Sequence, residues 1–87
     1  MTPEQLRLAR HALGLPNDRR RSYRNRYFAA PGTSSWLKWQ ALTKAGFAVL
    51  HPDDDGKVAD LFTLTRTGAE LALEAGETLD FEDFPRD

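Results

Sequence analysis

Ser34-Ser-Trp-Leu-Lys-Trp-Gln-Ala-Leu-Thr-Lys-Ala-Gly46-Phe47 is the stretch on which the fold turns. Ser34 or Ser35 can cap a helix at its start, and Gly46 can end it. Directly behind lie Phe47-Ala-Val-Leu50, the polar run His51 to Asp60, and Leu61-Phe-Thr-Leu64. Asp55-Gly56 between two apolar runs is a strong short-range hairpin signal. Thr67-Gly-Ala-Glu70 has the form of a capping box, followed by Leu71, Ala72, Leu73 and Ala75, with Gly76 as terminator. Residues 34–76 therefore predict a helix, a β-hairpin and a closing helix, in that order.

Upstream, Thr2-Pro3-Glu4-Gln5 is a second capping box with proline where its missing N–H costs nothing. Leu6, Ala9 and Leu13 recur at helical spacing, and Gly14-Leu15-Pro16 supplies a left-handed stop. A helix over about residues 3–13 follows, with Arg7, Arg10 and His11 on its polar side. The segment Asn17 to Ala30 reads two ways. As a helix it pairs Tyr23 with Tyr27 on one face and Arg20 with Arg24 on another. As a strand it points Tyr23, Asn25 and Tyr27 one way. A short helix is the favoured reading, because a helix-turn-helix needs one before its recognition helix. The end of the chain, Glu77 to Asp87, alternates acids with Leu79, Phe81 and Phe84. The organisation expected is one domain over residues 1–76 and an acidic-aromatic tail over 77–87.

Leu42-Thr-Lys-Ala-Gly46-Phe47 and Phe62-Thr-Leu64-Thr65-Arg-Thr-Gly68 resemble the corresponding steps of winged-helix regulators of the MarR and PadR kind. The resemblance covers residues 34–76. It implies a small α+β winged-helix domain of three to four helices with one hairpin as wing, and DNA binding as the role. Tyr23-Arg-Asn-Arg-Tyr27, followed by Gly32 and the Trp36 helix, also looks like short uncharacterised reading frames of bacteriophages and prophages. In two places the sequence departs from the regulators. Its wing tip carries Asp53, Asp54 and Asp55, which phosphates would repel. Turning Trp39 and Leu42 inward leaves Trp36, Leu37, Gln40 and Ala41 near the outward arc, where Gln40 alone offers a bidentate base contact.

Eighty-seven residues bury only about 60–65% of their unfolded surface, so the core must be compact or helped by a partner. Cysteine is absent, which excludes disulfides and Cys-based zinc sites. No basic and apolar blocks of a secretory signal open the chain, and no apolar run nears the ~20 residues needed to cross a bilayer. A cytoplasmic protein is expected, in the host cytoplasm if phage-encoded. The net charge of −1 conceals an asymmetry. Residues 1–50 carry seven Arg and two Lys against Glu4 and Asp18, or +7, and residues 51–87 carry three cations against eleven acids, or −8. That division suggests a basic working surface and an acidic end able to repel, cover or imitate something.

No constellation persuades for catalysis, metal or cofactor. His51, Asp53 and Asp55-Gly56 approach a calcium-loop spacing, but Phe62 stands where the bidentate Glu belongs. His11 and His51, without cysteine, make a poor zinc set. Ser34 and His51 lack any strained nucleophile turn around them. The expected activity is therefore binding. In the leading reading Arg19, Arg20, Arg21, Arg24 and Arg26 contact nucleic-acid phosphates, their neighbours Tyr23, Tyr27 and Phe28 stack on bases, and Lys38, Gln40 and Lys44 lie close by. The alternative is a module that blocks a host protein machine, as phage anti-defence proteins do, through Trp36, Leu37, Asp53, Asp54, Asp55, Phe81 and Phe84. Either would act as a monomer or weak homodimer, since no long dimerisation helix is evident.

Overall fold

In the computed structural model, which describes residues 1–52 and 58–85, α1 spans Pro3–Leu13 with the expected caps at both ends. Thr2 accepts from the Gln5 amide while Gln5 answers with its own side chain, and Gly14 closes the helix in the left-handed region at φ 79°. Ala9, Ala12 and Leu13 form its buried stripe.

The chain then departs from the favoured reading: no helix forms over residues 17–30. Asn17 starts a side-chain turn, accepting from the Arg19 amide at 3.0 Å, and Arg20 takes a positive φ of 53°. Thereafter the backbone is extended, ending in β1, Tyr27–Ala29. The N–H groups that a helix would turn onto its own carbonyls go elsewhere. Ser22 donates to Thr78, Tyr23 to Leu13 and Arg26 to Ala12. Local i, i+4 matches carried less weight than these long-range partners for the same donors.

Helix α2 runs from Ser34 to Lys44, and its cap is Thr33 rather than either serine; the Thr33 hydroxyl accepts from the Trp36 amide and donates to the Ala30 carbonyl. Strands β2, Ala48–His51, and β3, Asp60–Leu64, pair antiparallel as the hairpin signal predicts. The Asp55-Gly56 turn lies outside the described residues. Helix α3 is short, Arg66–Leu71, and Thr65 caps it two residues earlier than the capping-box reading of Thr67. Thr65 is held there because its hydroxyl also donates to the Gly46 carbonyl. Gly68 lets this helix reach the backbone ahead of β2: a Cβ there would sit 2.1 Å from the Phe47 carbonyl oxygen.

Among the described residues the result is a small α+β domain of three helices and a three-stranded antiparallel sheet in the order β1-β3-β2. Asn25 lengthens the β1–β3 pairing with its side chain, donating to the Leu64 carbonyl and accepting from the Leu64 amide. Burial alternates along the strands. Ala29, Phe62, Leu64 and Ala48 face the core, while Phe28, Val49 and His51 face out. Trp39 stacks on Phe62 with ring centroids 5.6 Å apart, and Tyr27 leans on Trp39 at 5.4 Å. Fully burying a ring the size of Phe62 contributes roughly 3 kcal/mol of gross transfer free energy, and the larger Trp39 somewhat more. No helix among the described residues is long and apolar enough to cross a membrane.

Residues 77–85 lie against the body of the domain. Phe84 joins the buried core and Leu79 packs on it. Arg66 donates to the Phe84 and Pro85 carbonyls. Thr78 forms a parallel bridge with Arg21, and the buried Ser22 hydroxyl accepts from the Asp80 amide at 2.8 Å.

Candidate nucleic-acid interface

The extended path of residues 19–28 divides the expected basic surface in two. Arg19 and Arg21 face a concavity shared with Asn17, Asp18, Tyr23 and Asp80. Arg21 lies over the Phe81 ring at 5.3 Å, so this side is already lined by the end of the chain. Arg20 turns towards Gly76 and acts electrostatically on Glu77.

Arg24 and Arg26 lie on the other side, around the last turn of α1. Arg24 donates through Nε and Nη2 to the His11 carbonyl, at 3.2 and 2.7 Å, adding to the bond that carbonyl accepts from the Gly14 amide and placing a cation at the negative end of the helix dipole. The same guanidinium lies over the Tyr23 ring at 5.2 Å. Tyr23 in turn rests on Gly14, where a Cβ would come within 2.1 Å of the ring. The His11 ring meets Tyr27 edge-on at 5.4 Å. His11, Arg24, Arg26, Tyr27 and Phe28 together line a shallow cleft. Tyr23 and Phe28 are each 62% exposed. Sequence patterning placed His11 on the polar side of α1 but did not join it to the arginines and aromatics, where its carbonyl anchors Arg24; that role depends on the chain turning back over the helix end, which no local pattern encodes.

The helical candidates lie elsewhere. Lys38 reaches Glu4 at 3.5 Å and the Ser34 hydroxyl at 2.6 Å, at the first turn of α1. That is about 10 Å along the helix axis from the His11 turn. Gln40 buries its Oε1 without a hydrogen-bond partner among the described residues, as Trp39 does its Nε1. Lys44 is exposed in the last turn of α2.

Of the residues considered for a protein partner, Trp36 is half-buried against the core and donates through Nε1 to Asp60 at 3.0 Å. Leu37 and Phe81 are exposed, Phe84 is buried, and Asp53, Asp54 and Asp55 lie outside the described residues.

The ion pairs among the described residues engage Arg10 and Lys38, so within that set none of the five arginines from 19 to 26 has a carboxylate within 4 Å. Partial desolvation and then the neighbouring Asp80 push the Asp83 carboxyl up, while the charge of Arg26 acts against them. His51 exchanges a hydrogen bond with the Thr63 hydroxyl at 2.9 Å. Compared with known proteins, the chain matches no family model, no curated sequence and no solved structure at a significant level.

Proposed function

We propose that the protein is a non-catalytic nucleic-acid-binding accessory or regulatory protein. Arg24 and Arg26 carry the binding, with Arg19 at the margin. The single observation behind this reading is a set of guanidinium groups with no carboxylate within 4 Å among the described residues, flanked by exposed aromatic rings. Cations so placed neutralise phosphates, and the rings give bases a surface to lie on. In this reading the domain is a winged-helix variant whose β2–β3 hairpin is the wing, and the extended segment 19–28 replaces the helix that usually precedes the recognition helix.

The test is an anisotropy titration at low salt with labelled DNA and RNA, duplex and single-stranded. Submicromolar binding that weakens at least tenfold in Arg24→Glu/Arg26→Glu supports the reading. Absence of binding above the micromolar range for every probe rejects it.

A protein-binding reading has one observation in its favour: Leu37 is 57% exposed beside a shallow groove bounded by Thr2, Gln5, Lys38 and Ala41. Leu37→Glu should abolish capture of a stoichiometric host partner if that groove is the working surface.

A further inference from the structure

Resting on the nucleic-acid reading, we infer that the ligand is a single-stranded polynucleotide, gripped along residues 23–28 with bases stacked on Tyr23 and Phe28.

Three observations carry this further than a basic patch would. First, the order along the extended backbone is ring, guanidinium, Asn25, guanidinium, Tyr27, ring. Asn25 is tied to Leu64 and Tyr27 turns inward onto Trp39, so Tyr23, Arg24, Arg26 and Phe28 remain at the surface. Second, the two outer rings are held from behind. Tyr23 rests against the side-chain-free surface of Gly14 with the Arg24 guanidinium over its ring, so that ring and cation offer a base one joint surface, and Phe28 projects from a strand paired to β3 at Leu61. Five residues of extended chain reach at most about 17 Å, the length of a few stacked nucleotides. Third, Arg24 is fixed by His11 with two of its five donor N–H groups, which leaves donors for a phosphate at a set position.

A duplex would need something different. Its bases are read by a helix or ribbon entering a groove with polar forks. Helix α2 offers Leu37, Ala41 and Lys44 outward, with Lys38 held by Glu4 and Ser34 and the Gln40 carbonyl oxygen buried. Stacking platforms alternating with cations suit a strand whose bases are already free.

The experiment titrates the full chain with labelled dT12, rU12 and a 12-base-pair duplex across a salt series. The expected result is at least tenfold tighter binding of dT12 or rU12 than of the duplex, the better of the two naming the sugar. Tyr23→Ala and Phe28→Ala should each weaken single-strand binding about tenfold without altering the salt slope. Tyr23→Phe should restore it, and matched circular dichroism melts should show that these variants fold. Equal or tighter duplex binding, unmoved by Tyr23→Ala and Phe28→Ala, overturns this inference and leaves the broader reading standing. No binding of any probe overturns both.

Discussion

Arg10 and Glu77, 67 residues apart in sequence, meet through two side-by-side hydrogen bonds, with Arg10 Nη2 2.8 Å from Glu77 Oε2. Both side chains are nearly withdrawn from water, and Arg10 also donates to the Ala72 carbonyl. The pair fixes α1 to the turn after α3 and so determines where residues 77–85 begin. A buried pair of this geometry is costly to break from one side, because the remaining Arg10 charge, little exposed to water, keeps only the looser contact with the exposed Glu74 carboxylate at 3.6 Å. Glu77→Gln should destabilise the domain by about 3 kcal/mol. Thermal melts at neutral pH should show Tm falling by upward of about 10 °C.

The same pair gives the domain an acid-sensitive window. Hydrogen bonding from Arg10 lowers the Glu77 carboxyl to about 2 from its ordinary 4.5, against the opposing effect of burial and with help from the Glu74 amide. A carboxyl depressed on folding contributes stability that is complete above its unfolded value and lost as pH falls through its folded one. Stability should therefore decline between about 4.5 and about 2, by roughly 3 kcal/mol in all from this group. Urea melts from pH 6 to pH 2.5 check this: the Glu77→Gln variant should lose markedly less over that range than the parent.

Gly68 should tolerate no side chain. Its Cα faces the Phe47 backbone so closely that an added methyl meets a carbonyl rather than a movable side chain. Alanine normally stabilises a helix relative to glycine by up to about 1 kcal/mol. Here Gly68→Ala should instead cost about 1–3 kcal/mol, because α3 must lift from the sheet. Denaturant midpoints decide the sign.

Asn25 should matter more than an ordinary surface amide. It satisfies both the N–H and the carbonyl of Leu64, at 2.8 and 3.0 Å. Asn25→Ala leaves two part-buried backbone groups without partners and should cost about 2 kcal/mol. Hydrogen exchange at the Leu64 amide should accelerate before that of the β2–β3 amides does.

Phe84 tests whether the end of the chain belongs to the core. Phe84→Ala should cost about 3 kcal/mol, whereas Phe81→Ala, at a 56%-exposed ring, should cost far less. Comparable small losses in both would show that residues 77–85 contribute little to the fold in solution.

What the sequence determined by itself rested on neighbours in the chain. The Thr2–Gln5 capping box and the Gly14 stop define α1 within a few residues of backbone. The alternating apolar runs around Gly46 and Leu64 define the hairpin strands, since a period of two leaves one face to bury. Trp39 and Leu42 were legible as core because they share one side of α2. The caps that fell on Thr33 and Thr65 were misplaced by only one or two residues, whereas α3 stops at Leu71, well short of the expected terminator Gly76.

Only the tertiary structure decided the path of residues 17–30 and the placement of residues 77–85. The arginine-aromatic segment has helical matches of its own, yet its amides bond to Ala12, Leu13 and Thr78, and its Asn25 to Leu64. Those partners are distant in sequence, and a donor bonded to one of them cannot also close a helical turn. The candidate site inherits that dependence: Arg24 is aimed by the His11 carbonyl, which becomes available only where α1 ends and the chain folds back across it.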